Sequence, residues 1–265
     1  MARDLAAVMA VKSGNETGLK LPHDITIKSQ NTDFNFDAEV LDASACPRYS
    51  GVCIKNITVT DSPEWLKNRI SAIGIKPINN IVDITNYVMH ETGQPLHAFD
   101  VAEIAGNKII VKKPHSTEKF ITLDGVERNI VSHDLMICNA KEAMCIAGVY
   151  GGLKSGVKPT TKSIFLESAY FDASGIRKTA KHYNLKTDAS FRFERGTDPG
   201  ATITSLNRAA QLIQQIAGGT ISGNVIDLYP VKIEPTQVTL NLKRCAQLIG
   251  KEIPESQIKL ILKQL

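Results

Sequence analysis

The chain contains no apolar run approaching the ~20 residues that a membrane-spanning helix requires, so no membrane span is expected. Aromatic residues are only 6% of it, and its five cysteines (Cys46, Cys53, Cys138, Cys145, Cys245) form no C-x-x-C pair that would suggest zinc or redox chemistry. Six scattered histidines never stand at i, i+4 beside a glutamate, so no metal site is expected. The Gly-x-Ser-x-Gly elbow of serine hydrolases is also missing. With no disulfide framework, a reduced cytoplasmic compartment is the default expectation.

What is present is globular: 265 residues, 43% apolar and 22% charged. Single cores stop growing at roughly 250 to 300 residues, so the length fits one large domain or one domain with pieces of others. Leu5, Val8 and Met9 recur at helical spacing, and the chain is expected to begin inside a helix. Asp4 and the shortness of the apolar stretch argue against a signal peptide. Glu255 to Leu265 places Ile258, Ile261, Leu262 and Leu265 on one helical face with no stop signal. Both ends read as interrupted.

Strand patterns are expected over 25–28, 36–41 and 49–54. Ser62, Pro63 and Gly74 bracket a helix, and a second runs from residue 79 or 80 to Glu91. Period-two patterns follow over 109–112, 119–123, 134–139, 143–149 and 163–171, with Asp124-Gly125 as a hairpin signal. Helices are expected over 173–184 and from Asp198-Pro199 to Gly218, then strands over 224–229 and 237–242 and a short helical segment to Leu265. Strand runs with segregated helices predict an α+β domain with a mixed or antiparallel sheet, over about 45–230, rather than a doubly wound fold.

Charge is concentrated between Ile176 and Arg195, where six basic residues (Arg177, Lys178, Lys181, Lys186, Arg192, Arg195) face two acidic ones. That suits a surface near phosphate, although a solvated helix face explains it too. Phe191 and Phe193 flank Arg192, and their alternation favours core packing over stacking. Glu167 is more informative, since alternation puts it on the same side of its strand as Phe165, Ala169 and Phe171. A carboxylate there needs a partner: a buried ion pair or cap on one reading, a ligand pocket with one acceptor at its base on the other. His97, beside a proline turn in Gln94-Pro-Leu-His97, reads first as a satisfied structural residue. Gly148-Val-Tyr-Gly-Gly152 lets backbone approach a ligand but carries no phosphate-loop or dinucleotide pattern. Thr187-Asp-Ala-Ser190 reads as a turn, and Thr85-Asn86 as an ordinary helix face.

Taken together, Cys46-Pro-Arg-Tyr49, Val82-Asp-Ile-Thr-Asn-Tyr87, Gly93-Gln-Pro-Leu-His-Ala-Phe-Asp100, Ala147-Gly-Val-Tyr-Gly-Gly152, Leu166-Glu-Ser-Ala-Tyr-Phe171, Lys186-Thr-Asp-Ala-Ser190 and Phe193-Glu-Arg-Gly-Thr-Asp-Pro199 closely resemble the B3/B4 region of bacterial phenylalanyl-tRNA synthetase β subunits. The resemblance implies that residues 1–44 end a preceding B1-like domain, 45–230 form the B3/B4 editing domain, and 236–265 begin a B5-like domain. It implies hydrolysis of tyrosine wrongly esterified to the phenylalanine tRNA, tRNA(Phe). Such a step is needed because a synthetic pocket excludes an isostere bearing one extra hydroxyl by only about a hundredfold.

By the same resemblance, Glu167 accepts the substrate phenol, His97 holds the attacking water, and Thr85 and Asn86 stand near that water and the aminoacyl group. Gly148 and Gly151 line the pocket through backbone, and Thr187, Ala189 and Leu123 form its wall. Arg177, Lys178, Lys181 and Lys186 are candidate tRNA contacts. The resemblance implies a complete (αβ)₂ enzyme that uses ATP and Mg²⁺ on the α subunit to charge tRNA(Phe), with tRNA(Phe), the α subunit and tyrosine as partners. No cofactor is expected in this chain itself. Two other readings stay open: a module that only docks tRNA or aids assembly, and a fold in which Glu167 and His97 are core residues.

Overall fold

The computed structural model describes residues 1–18 and 26–265, in two units: Met1–His23 with Ile233–Leu265, and Asp24–Lys232. The strands of the larger unit are β1 (Asp37–Val40), β2 (Arg48–Ile57), β3 (Leu96–Asp100), β4 (Lys108–Lys112), β5 (Glu118–Ile121), β6 (Glu127–Ile130), β7 (Met136–Cys138), β8 (Ala143–Ile146), β9 (Tyr150–Gly151), β10 (Ser163–Tyr170) and β11 (Gly218–Leu228). Its helices are α2 (Glu64–Ala72), α3 (Asn80–Thr92), α4 (Ala173–His182), α5 (Asp188–Phe193) and α6 (Ala201–Ala217), and α1 (Ala2–Ser13), α7 (Leu242–Ile249) and α8 (Glu255–Gln264) belong to the smaller unit. None of the described helices is long and apolar enough to cross a membrane.

Strand β10 organises the larger unit. It pairs antiparallel with β2 on one side and β3 on the other, and β11 extends the sheet beyond β2. Both faces of this sheet are buried. Ile164 and Leu166 of β10, Val52 and Ile54 of β2 and Ala98 of β3 join one core with Leu66 and Ile70 of α2, Ile81, Ile84 and Val88 of α3, and Leu206 and Ile213 of α6. Phe165 and Ala169, with Tyr49, Cys53 and Phe99, join a second core with Val111, Ile137, Ile146 and Phe193. That core lies against a five-stranded sheet of order β1-β4-β7-β8-β9, in which only the β1–β4 pair is parallel. The fold is α+β with antiparallel and mixed sheets, as the strand and helix patterns predict.

Several local expectations differ from the structure for identifiable reasons. Ile25, the start of the expected strand 25–28, lies outside the described residues, and 26–30 form no strand. Residues 237–241 form none either, because an extended segment without a partner strand makes no ladder, and α7 begins at Leu242. The Gln94-to-His97 turn gives way at Leu96 to β3, whose pairing with β10 overrides a sequence without β-branched residues. Thr187 starts a helix rather than a turn: its side chain accepts from Ser190 N while Ser190 accepts from Thr187 N, a reciprocal cap on α5. Phe191 and Phe193 are therefore helical neighbours two apart, which splits them, with Phe193 buried and Phe191 54% exposed. Ser62 does not cap α2 but donates to Asp83 at 2.6 Å. In the smaller unit Leu5, Val8 and Met9 are exposed, and α1 buries Ala6, Ala7 and Ala10 instead.

Gly51 stands opposite Glu167 across the β2–β10 pair. A Cβ there would lie 2.3 Å from Cζ of the fully buried Phe165 and 3.2 Å from the Leu166 carbonyl oxygen. Gly51→Ala should thus lower stability by about 1 to 3 kcal/mol through overpacking. A urea midpoint equal to that of the wild type would refute this account of the glycine.

Candidate functional site

The seam between the β10 sheet and the second core holds the expected acidic residue. Glu167 pairs with His97 across β10 and β3, and directly opposed residues of an antiparallel pair project from the same face. Glu167 is 5% exposed. It is not alone: the Tyr49 hydroxyl, arriving from β2, donates to Glu167 Oε2 at 2.7 Å. Oε1 has no hydrogen-bond partner among the described residues. Burial pushes the carboxyl up to about 8 despite the Tyr49 hydrogen bond, which favours the ionised form. Burial, and then the nearby carboxyl, also raise the Tyr49 hydroxyl and the Cys46 and Cys145 thiols well above their ordinary ranges.

His97 has the opposite shift with the same cause. Burial pulls its imidazole down to about 4. Its Nε2 is buried without a hydrogen-bond partner, and its ring meets Phe99 edge-on at 4.4 Å between centroids. At neutral pH the His97 imidazole is uncharged and the Glu167 carboxyl is mostly protonated.

Gly151 and Leu123 complete this cluster. A Cβ on Gly151 would lie 3.2 Å from His97 Cε1 and 2.8 Å from Leu123 Cδ1, so the missing side chain lets the imidazole and the leucine close on the β9 backbone. Leu123 N also donates to the Gly151 carbonyl at 3.0 Å, while the leucine side chain remains half exposed. Thr187 reaches the same turn, its hydroxyl donating to the Val149 carbonyl at 3.1 Å, which ties the start of α5 and the half-buried Ala189 to the segment leading into Gly151.

Three further expected site residues make their hydrogen bonds and close contacts with other groups. Gly148 has φ +66° and faces apolar carbons of Phe171, Ile176 and Phe193, where a Cβ would lie 3.0 Å from each. Thr85 is buried on α3 with its hydroxyl donated to the Val82 carbonyl, and neither it nor Asn86 hydrogen-bonds to His97 or Glu167 among the described residues. Near them His90 Nδ1 lies 2.9 Å from the Asn86 carbonyl and His90 Nε2 3.8 Å from Asp188, so α3 and the start of α5 meet there.

Arg177, Lys178, Lys181 and Lys186 are all exposed. Arg177 donates to the Glu194 carbonyl, whereas the three lysines have no ion-pair partner among the described residues. A separate cavity of about 330 Å³ is lined by Phe120, Ile121, Met144, Leu153 and neighbouring lysines and glutamates. None of the expected site residues lines it. Among the described residues no group of three His, Cys, Asp or Glu side chains is placed to hold a metal ion.

The residue that sequence reasoning missed is Tyr49. Its alternation with Gly51 and Cys53 was visible, but that β2 neighbours β10 is set by long-range pairing.

The two shifted groups make opposite contributions to stability. From its ordinary value of 4.5 up to about 8, Glu167 keeps a proton in the folded chain that the unfolded chain has lost, so stability falls as pH rises through that window. From 6.5 down to about 4, the unfolded chain binds a proton that folded His97 refuses, so stability falls as pH falls. Above pH 6.5 the Glu167 slope is unopposed, at most about 1.4 kcal/mol per pH unit. Glu167→Gln, which can still accept from Tyr49, should flatten the decline between pH 6.5 and 8 in urea melts. His97→Gln should leave that decline in place and remove the counter-slope below 6.5.

Comparison with known proteins places this geometry in a family. The B3/4 domain family profile matches residues 45–218. The phenylalanine–tRNA ligase β subunit of Bacteroides fragilis strain YCH46 is 48% identical over 265 residues, all of this chain and 32% of that protein. The same subunit of Porphyromonas gingivalis is 49% identical over 266 residues, with the same coverage. The chain thus spans about a third of the length of these curated relatives. A crystal structure of an N-terminal fragment of the phenylalanyl-tRNA synthetase β subunit from Pyrococcus horikoshii has a similar fold, with a TM-score of 0.50 and 14% identity over 92% of this chain and 67% of that one. With the profile matched across the β10 sheet and the seam that holds Glu167, the chain belongs to the B3/4 domain family.

Proposed function

We propose that the seam hydrolyses the ester of tyrosine misattached to tRNA(Phe) and spares the phenylalanine ester. The observation that carries this reading is the register Glu167↔His97, which sets an uncommitted carboxyl oxygen beside an imidazole whose Nε2 has no partner. A phenol can pair with Glu167 Oε1 in either protonation state, as acceptor from the neutral acid or donor to the carboxylate. A phenyl ring offers neither and leaves that oxygen unpaired, at a cost of ~1 to 3 kcal/mol. Tyr49 halves the demand by taking Oε2, so the substrate hydroxyl answers to one oxygen.

His97 fits the role of an orienter. With its imidazole held at about 4 it is neutral and a weak base at pH 7, able to accept a hydrogen bond from water but poorly matched to removing a proton. Leu123, half exposed beside it, is the side chain that would swing aside to admit water. Rate would then come from positioning and from polarising the ester carbonyl, with the terminal ribose hydroxyl assisting. Thr85 and Asn86 would act on the aminoacyl group, Gly148 and Gly151 through backbone, and Thr187 and Ala189 as the wall.

In the complete protein, residues 1–44 would close a B1-like domain, 45–230 form the editing domain and 236–265 open a B5-like one. That protein would act in the cytoplasm with an α subunit as an (αβ)₂ ligase charging tRNA(Phe), and ATP and Mg²⁺ would be used on the α subunit.

The Tyr49 hydrogen bond favours a second reading, in which Glu167 is only a core residue satisfied by its neighbour. Deacylation by the 265-residue chain separates the two. The wild type should release tyrosine from Tyr-tRNA(Phe) at least roughly tenfold faster than phenylalanine from Phe-tRNA(Phe), and Glu167→Ala should erase the difference. Equal release by the wild type, or a preference that survives Glu167→Ala, would leave the core reading standing.

A further inference from the structure

Helix α5 carries a surface feature that the pocket does not use. Phe193 is buried among Phe171 and the second core, but Phe191 is 54% exposed. The Arg195 guanidinium lies over its ring, 3.5 Å from the centroid, and also donates to the Phe191 carbonyl at 2.8 Å. An exposed aromatic face crossed by a guanidinium is the combination on which nucleobases stack, since every base has a π-face and the cation adds to it. Arg195 is also paired with Glu194, and Arg192 with Asp188, so the uncompensated positive charge of the 176–195 stretch rests on the exposed Lys178, Lys181 and Lys186, which have no ion-pair partner among the described residues and favour a polyanion.

Its position points to one part of an RNA. Phe191 N donates to the Thr187 carbonyl at 2.9 Å, so the Phe191 backbone stands one helical turn, a rise of about 6 Å, beyond the residue tied to the Val149 carbonyl. An aminoacyl ester hangs from the ribose of the last nucleotide of its RNA, and a nucleoside spans a comparable distance. With the aminoacyl group at the seam, the bases of the unpaired 3′ end lie within reach of this helix. We propose that Phe191 and Arg195 form a stacking platform for an unpaired nucleobase at the 3′ end of the RNA. The proposal rests on the ester-hydrolysis reading for its orientation, but it is tested by binding alone.

The probes are an acceptor-stem RNA hairpin with a short unpaired 3′ tail and the same hairpin ending blunt, titrated into the 265-residue chain by fluorescence anisotropy. The wild type should bind the tailed hairpin more tightly. Phe191→Ala and Phe191→Leu should each weaken binding of the tailed probe roughly tenfold with little effect on the blunt one, and Phe191→Tyr should restore it. The salt slope should be unchanged by Phe191→Leu and reduced for both probes by Lys181→Ala. Phe191 is largely exposed, so the melting temperatures should match the wild type. The platform is overturned if the wild type shows no tail preference, if Phe191→Leu binds the tailed RNA as tightly as the wild type, or if both probes weaken equally. A chain that keeps tail-dependent binding but releases no tyrosine would sink the hydrolysis reading and leave the platform intact.

Discussion

A titratable carboxyl placed on a strand with both faces buried constrains everything around it. Because β10 has a core on each side, Glu167 is almost wholly removed from water, and the protein meets the cost in two ways. The group keeps its proton to about pH 8, and Tyr49 supplies one hydrogen bond. Neither satisfies both oxygens. Replacing such a group by an apolar residue of similar volume is often neutral or stabilising, so retaining it is poorly explained by stability alone. His97, on the edge strand β3, is only partly buried, yet its Nε2 is enclosed without a hydrogen-bond partner.

The alternation that sets Glu167 beside Phe165 and Ala169 was legible in the sequence, because a period of two needs only one strand. So were the long helices: Asn79 caps α3 and glycines follow α3 and α6. What could not be read was which strands become neighbours. Tyr49 lies 118 residues from Glu167, and nothing local records that their strands pair. His97 looked like a turn residue because Leu96–Asp100 is stabilised by β10 rather than by its own propensity. Thr187 looked like a turn residue because a threonine that caps a helix and one that closes a turn use the same side-chain bond. For the site as a whole, the sequence resemblance groups Thr85, Asn86 and Gly148 with Glu167, a grouping that no hydrogen bond among the described residues links.

Helix α5 joins the inner and outer parts of the proposed site. Its first residues are tied to the turn beside His97, its end buries Phe193, and its outer side presents Phe191 and Arg195. A helix of six residues has little stability of its own, so its position depends on that cap and that anchor. His90 adds a contact from α3 through Asp188. Wall and rim are thus fixed by the same few bonds.

The seam that holds Glu167 and His97 and the exposed Lys178, Lys181 and Lys186 differ in charge. The seam has hydrogen-bonding capacity but little charge near pH 7, whereas these lysines are in solvent without ion-pair partners among the described residues. A molecule with a polyanionic strand at one end and an uncharged ring at the other would be sorted by dielectric alone, with the phosphates held in solvent and the ring admitted.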